Sequence, residues 1–320
     1  MNVFLHILAH NIIPVFIIIG IGFIMGKKFE VNLFTLSKFT IYVFVPAFVF
    51  FNLYTADLSM DMLKILLFSI TYMGASWVLG NIISRVRKFD KGMTSAFENS
   101  IMFNNSGNIG ISLITLVFGS APYIINGKTP YLHQALAAQV IILIFMNITM
   151  NTLGFYNAGR AKMAMKDSVY HILTMPAIYA ILLALLLKYL HVDVESTPFW
   201  PALLNVKDGL VPMALLTLGT QLSKTKFDFM NVNVNISVFT RLVLGPLMAV
   251  IFIHLFGFTG VIAQTILISY SVPTAVNTVI IAVDCKNCEN FASQQVMVST
   301  IFSAVTLTTA IFMAGILFPL

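Results

Sequence analysis

Charge is what this sequence has least of. Only 9% of its 320 residues are Asp, Glu, Lys or Arg, against roughly a quarter in soluble domains, while 58% are hydrophobic. A surface so poor in charge excludes a water-soluble globular protein. Two cysteines, both in Cys285-Lys286-Asn287-Cys288, exclude a disulfide framework. A lone CxxC with no second pair or nearby histidine reads as two loop thiols rather than half a zinc site. Two motifs of enzyme chemistry are missing as well: there is no G-x-x-x-x-G-K-[ST] for nucleotide phosphates and no H-E-x-x-H for zinc. The net charge of +6 is spread through short loops rather than gathered on one face, so nucleic acid is not an expected partner. No cofactor and no metal is called for.

What remains is apolar sequence in runs of about 20 residues, enough to cross a hydrocarbon core of roughly 30 Å. Ten such spans are expected, at 4–25, 32–54, 62–84, 93–119, 132–156, 169–190, 200–222, 233–256, 260–283 and 292–317. The fold class is therefore an all-α polytopic membrane protein whose solvent is the lipid bilayer. The first span is too long for a signal-peptide core and lacks both a basic start and a small-residue cleavage site, so it reads as a retained helix. Assigning the loops alternately to the two sides puts Lys27, Lys28, Arg85, Arg87, Lys88, Lys91, Arg160, Lys162, Lys166, Lys224, Lys226 and Lys286 together, against Lys64, Lys128 and Lys188. Basic loops stay cytoplasmic, which sets both termini outside a plasma membrane.

Ten spans divide into two halves of five, 1–157 and 168–320, and a repeat with an odd number of spans must be inverted in the membrane. Lys38 and Val45-Pro46 in the second span have counterparts in Lys207 and Val211-Pro212 of the seventh. Asn104 and Asn108 in the fourth match the spacing of Pro273 and Asn277 in the ninth. Pro46 to Pro212 is a shift of 166 residues and Asn108 to Asn277 one of 169, so the register nearly holds.

The fourth span is interrupted by Asn104, Asn105, Ser106, Gly107, Asn108 and Gly110. The glycines ease departure from helical geometry, and Asn side chains can satisfy the backbone groups a break releases. In the ninth, Pro273 has no amide hydrogen and leaves the carbonyl of Ser269 without its helical partner, with Thr274 and Asn277 placed to answer such groups. Irregular backbone at membrane depth is tolerated only where protein buries it or a cavity hydrates it. The half-spans 93–103 and 109–119 would each rise about 16 Å, which puts the first break near mid-membrane. Two inverted broken helices would bring two N-terminal and two C-terminal ends to one depth. The positive ends favour an anion and the negative ends a cation or a protonated group. The alternative is a pair of kinked structural helices.

These stretches resemble the auxin efflux carrier family. The resemblance rests on Phe103 to Ile111 followed by Leu113, the run Pro212 to Leu222, Pro273-Thr274-Ala275-Val276-Asn277, and Ala292-Ser293 through Ser299-Thr300 and Ser303. It covers essentially the whole chain. The family includes plant auxin exporters and bacterial permeases for malate or malonate. The resemblance implies ten helices in an inverted 5+5 repeat with crossed broken helices 4 and 9, like the sodium/proton antiporter and bile-acid transporter folds. It further implies a scaffold of helices 1, 2, 6 and 7, often a homodimer, beside a mobile transport domain of helices 3–5 and 8–10. One departure matters: members often carry proline after the first break, where this sequence has Ser112.

Ionisable residues within spans are costly and tend to face cavities or partners. Glu98 reads either as a proton carrier or cytoplasmic gate, or as an interfacial partner of Lys91. Lys38 and the Lys207-Asp208 pair either gate the cavity and attract an anion, or snorkel and pair structurally. Arg241 either reaches the cavity or anchors a helix end. No pair of adjacent aspartates of the sodium- or proton-binding kind is present, and H+ and Na+ both stay open as coupling ions.

The function expected is a secondary active transporter of a small organic anion, a carboxylate such as malate, malonate or an auxin-like acid, working by alternating access. A dicarboxylate calls for a cation near the site, which Lys38, Lys207 or Arg241 could supply, so a metabolic carboxylate is the first expectation. A membrane sensor on a carrier fold and an intramembrane enzyme are the competing classes. For the latter the sequence offers Ser106 and Ser271 without a placed histidine.

Overall fold

A computed structural model describes residues 3–56, 60–159, 176–225 and 231–320. Among these residues regular structure is helical, apart from two isolated backbone bridges. In chain order the helices are α1 (Val3–Lys28), α2 (Leu33–Thr55), α3 (Met60–Val86), α4 (Lys91–Met102), α5 (Ser106–Phe118), α6 (Leu132–Gly159), α7 (Pro176–Tyr189), α8 (Phe199–Leu222), α9 (Val232–Phe256), α10 (Gly260–Ser271), α11 (Asn277–Asp284) and α12 (Glu289–Leu317). Seven of them, α1, α2, α3, α6, α8, α9 and α12, are long and apolar enough to cross a membrane. The spans at 93–119 and 260–283, expected to be interrupted, are each two shorter helices, α4 and α5, and α10 and α11. The span expected at 169–190 is described from Pro176 onward, and Arg160, Lys162, Lys166 and Lys226 lie outside the described residues.

Polar caps set where the helices begin. Asn32, Asp90 and Asn231 open α2, α4 and α9, their side-chain oxygens accepting from the amides of Thr35 (3.1 Å), Met93 (2.7 Å) and Val234 (3.3 Å).

Inside the spans a second rule recurs. A π-helical turn at Leu8–Ile12 precedes Pro14, one at Thr40–Phe44 precedes Pro46, and one at Thr240–Leu244 precedes Pro246. Proline removes one helical donor and crowds the carbonyl four residues back. A widened turn accommodates both without breaking a span in lipid. The same turn opens α5 at Ser106–Gly110, and the residue two positions on is Ser112. Its hydroxyl donates to the carbonyl of Asn108, four residues back, at 2.6 Å. Ser112 thus engages the carbonyl that a proline there would displace, and the break forms without it.

Packing then sorts the helices. α1 lies along the second half of α8, and α2 lies along α7. The first contact is backbone against backbone: a Cβ on Gly219 would strike the Ile19 carbonyl and one on Gly22 the Leu216 carbonyl, and Thr220 donates to the Gly22 carbonyl at 3.1 Å. Small residues of this kind are what lets membrane helices approach closely.

Candidate functional site

The two breaks meet. After Met102 the chain leaves α4 in extended geometry, and after Ser271 it leaves α10 in the same way. The two extended pieces run antiparallel, with the Asn105 amide donating to the Pro273 carbonyl at 2.8 Å and the Ala275 amide to the Phe103 carbonyl at 3.0 Å. A short backbone crossing therefore sits among buried residues, with Asn104 2% exposed.

Every orphaned backbone group at such depth needs a partner, and the partners come from across the crossing. The Ser269 carbonyl released by Pro273 accepts from Asn104 Nδ2 at 3.1 Å. Thr274 Oγ1 donates to the Ser100 carbonyl in α4 at 2.5 Å. Each broken helix is thus satisfied by the other. Asn105 caps α5 by accepting from the Asn108 amide at 3.2 Å. Gln139 of α6, fully buried, donates from Nε2 to the Ser106 carbonyl at 2.8 Å and accepts at Oε1 from the Ser269 hydroxyl. Gly110 faces that amide closely: a Cβ there would lie 2.7 Å from Gln139 Nε2.

Arg241 holds the far side. It is 1% exposed and donates from Nε to the Val272 carbonyl (3.0 Å), from Nη1 to the Ile101 carbonyl (3.0 Å) and from Nη2 to the Tyr270 carbonyl (2.9 Å). These carbonyls belong to the C-terminal ends of α4 and α10.

The N-terminal ends of α5 and α11 look instead into a cavity of about 310 Å³. Asn104, Asn105, Ser106, Gly107, Asn108 and Asn277 line it, while Gly110, Pro273 and Thr274 build the crossing and do not. The half-buried side chains of Asn108 and Asn277 make no hydrogen bond to another described residue, so their amides face the cavity with donors and acceptors to offer. Ser37 and Thr40 of α2, Asn147 and Asn151 of α6, and Thr217 and Gln221 of α8 complete the polar lining. The rest is apolar, including Val45, Leu143, Ile144, Ile181 and Ile280. Beyond Val49 on α2, the Phe51 ring lies 5.3 Å from that of Trp200 and 6.4 Å from that of His133.

None of the five ionisable candidates lines this cavity. Glu98 is fully buried in α4 and packs against Gly80 of α3. Lys38 is exposed, its ammonium 4.3 Å from the centre of the Phe34 ring. Lys207 lies over the Phe51 ring at 4.5 Å and pairs with the exposed carboxylate of Asp208 at 2.5 Å. Arg241 is turned to the three carbonyls, with one hydrogen bond from each guanidinium nitrogen. Sequence reasoning missed Gln139, Asn147, Asn151 and Gln221. The four-residue spacing of Asn147 and Asn151 on an apolar helix was the one local signal available.

Comparison with known proteins bears on the whole chain. A family model described as membrane transport protein matches residues 7–311. An uncharacterized transporter of Methanothermobacter thermautotrophicus is 24% identical over 314 residues, covering 93% of this chain and 96% of that protein.

Proposed function

The chain belongs to the membrane transport protein family, that of the auxin efflux carriers, and from that premise we propose that it is a secondary active transporter of a small organic anion working by alternating access. One observation carries this reading: the N-terminal ends of α5 and α11, with the amides of Asn108 and Asn277, converge on a single cavity walled by α2, α6 and α8. Helix N-termini present donors and partial positive charge, which is the way a membrane-embedded site binds a carboxylate without a fixed cation.

The same reading takes α4 with α5, and α10 with α11, as two broken spans in a ten-span inverted repeat. An inverted two-fold would relate the α1–α8 contact to the α7–α2 contact, and both are present. Helices α1, α2, α7 and α8 then form the scaffold, and the others form the transport domain that moves past it. The cavity runs from the crossing to Ser37, Phe155, Pro176 and Gln221, toward the ends that carry the basic loops, so this conformation is the inward-open one in a plasma membrane.

The lining refines the substrate class. Two helix N-termini supply about half a unit of positive charge each, together enough for one carboxylate. No described lining residue carries a formal charge, and burying a second carboxylate against apolar walls costs several kcal/mol. A monocarboxylate with an apolar body therefore fits better than malate or malonate, reversing the order expected when Lys38, Lys207 and Arg241 were assigned to the site. Thermal unfolding of the purified protein with indole-3-acetate, malate and malonate, each at several pH values and with or without sodium, tests this. Binding at 100 times Kd stabilises by about 2.7 kcal/mol. We expect the monocarboxylate to raise the melting temperature most. Stabilisation by dicarboxylates alone would refute the ranking, and ligand binding without flux across sealed vesicles would favour a sensor instead.

A further inference from the structure

We propose that Arg241 is the resident counter-cation of the crossing, a positioning residue whose fixed charge holds together the two negative helix ends where a cation-coupled carrier would hold its ion. The inference rests on the transport reading and adds to it what the C-terminal half of the crossing does.

The last carbonyls of a helix have no intrahelical partner, and the end of the helix carries about half a unit of negative charge. α4 and α10 bring two such ends together inside the fold, as the shared guanidinium shows. In transporters built on broken helices, unwound carbonyls and helix C-termini of this kind coordinate the coupling ion. Here they are occupied from within. Three different nitrogens of one planar guanidinium reach three carbonyls, on Ile101, Tyr270 and Val272, at 2.9–3.0 Å. A lysine ammonium is a point charge and cannot reproduce that fork. Among the described residues no carboxylate pairs with Arg241, so the helix ends themselves are its counter-charge.

The local fold is shaped to deliver the side chain. Arg241 sits in the π-helical turn Thr240–Leu244 of α9, the turn that precedes Pro246. Tyr72 and Tyr270, with rings 4.4 Å apart, lie beside it and seal it from solvent. Because one end of α4 and one end of α10 hang on the same guanidinium, its loss frees Asn104 and Thr274 to drift. The N-terminal ends that face the cavity then lose their register. With the negative ends already neutralised, the crossing needs no sodium ion.

The test uses the full-length protein in proteoliposomes with labelled indole-3-acetate as the probe. Wild-type flux should be unchanged when sodium is replaced by choline. Flux in Arg241→Ala should fall about tenfold or more, since three hydrogen bonds to a charged group are lost, and millimolar methylguanidinium should restore part of it. Arg241→Lys should retain more flux than Arg241→Met, which has similar length and no charge. Sodium-dependent wild-type flux, wild-type rates in Arg241→Ala or Arg241→Met, or a lysine variant no better than the methionine variant would each overturn the proposal. Should Arg241→Ala fail to fold, the Lys and Met variants carry the comparison. If the wild type moves neither labelled indole-3-acetate nor labelled malate or malonate, the transport reading fails. The role of Arg241 is then judged by unfolding, where methylguanidinium should raise the melting temperature of Arg241→Ala and leave the wild type unmoved; no such difference would refute it.

Discussion

Two asparagines four positions apart in the fourth expected span, Asn104 and Asn108, should behave oppositely when truncated. Both border the cavity, but Asn108 does so with its amide uncommitted, whereas Asn104 donates to the Ser269 carbonyl at 3.1 Å and is 2% exposed. Replacing Asn108 by alanine removes a donor to a bound carboxylate, and hydrogen bonds to charged groups contribute about 1.5–3 kcal/mol. At 1.4 kcal/mol per factor of ten, affinity should fall about 10- to 150-fold, with the melting temperature of the unliganded protein nearly unchanged. Asn277→Ala should do the same from the other helix. Replacing Asn104 by alanine instead leaves a buried carbonyl without its donor, at a cost of about 1–3 kcal/mol, so it should lower the melting temperature. Isothermal titration of each variant, paired with thermal unfolding without ligand, reads both quantities. Wild-type affinity in Asn108→Ala and Asn277→Ala, or an Asn104→Ala protein as stable as wild type, would refute the division into binding and bridging residues.

Other consequences are as specific. Gly219→Leu should destabilise, since its Cβ meets the Ile19 carbonyl and overpacking costs about 1–3 kcal/mol; Gly20→Ala, with open space around it inside a helix, should melt no lower than wild type, since alanine favours a helix interior over glycine. Ser112→Pro should be tolerated, because Ser112 stands two residues after a π-helical turn as Pro14, Pro46 and Pro246 do; a loss near the ~3 kcal/mol of an ordinary mid-helix proline would contradict that equivalence. Burial pushes the thiols of Cys285 and Cys288 up, each with a nearby carboxylate, Asp284 or Asp90, adding to the effect. A membrane-impermeant maleimide should therefore label them slowly near neutrality and faster as pH rises. Labelling should occur in inside-out vesicles and not in intact cells, and the reverse pattern would invert the proposed orientation.

The membrane class and the two breaks could be read from the sequence because hydropathy runs and Gly, Asn and Pro interruptions are local signals. The matched spacing of Asn104 with Asn108 and of Pro273 with Asn277 pointed to a paired feature, and the chain does pair there, Asn105 with Pro273 and Phe103 with Ala275. The division of labour was not legible. The partner of the Ser269 carbonyl is 165 residues away at Asn104, and no local pattern encodes so distant a bond. Lys38, Lys207 and Arg241 looked like cations for the cavity because their spans are apolar on every side, so hydropathy could not say which way each side chain turns. Arg241 turns toward helix ends and Lys38 toward the exposed surface. Gln139 gave no signal, being one amide in an apolar run, yet it ties Ser106 to Ser269 across both breaks.

The central claim is that a small organic anion crosses the membrane through the cavity at the crossing. Its most direct test is saturable flux of labelled indole-3-acetate in sealed proteoliposomes under an imposed membrane potential. The wild type is compared with the Asn108→Ala/Asn277→Ala double variant at equal reconstituted amounts. The account predicts saturable wild-type flux reduced about 100-fold or more in the double variant at sub-saturating substrate, from the loss of two hydrogen bonds to a charged group. Equal flux in the two proteins would contradict it.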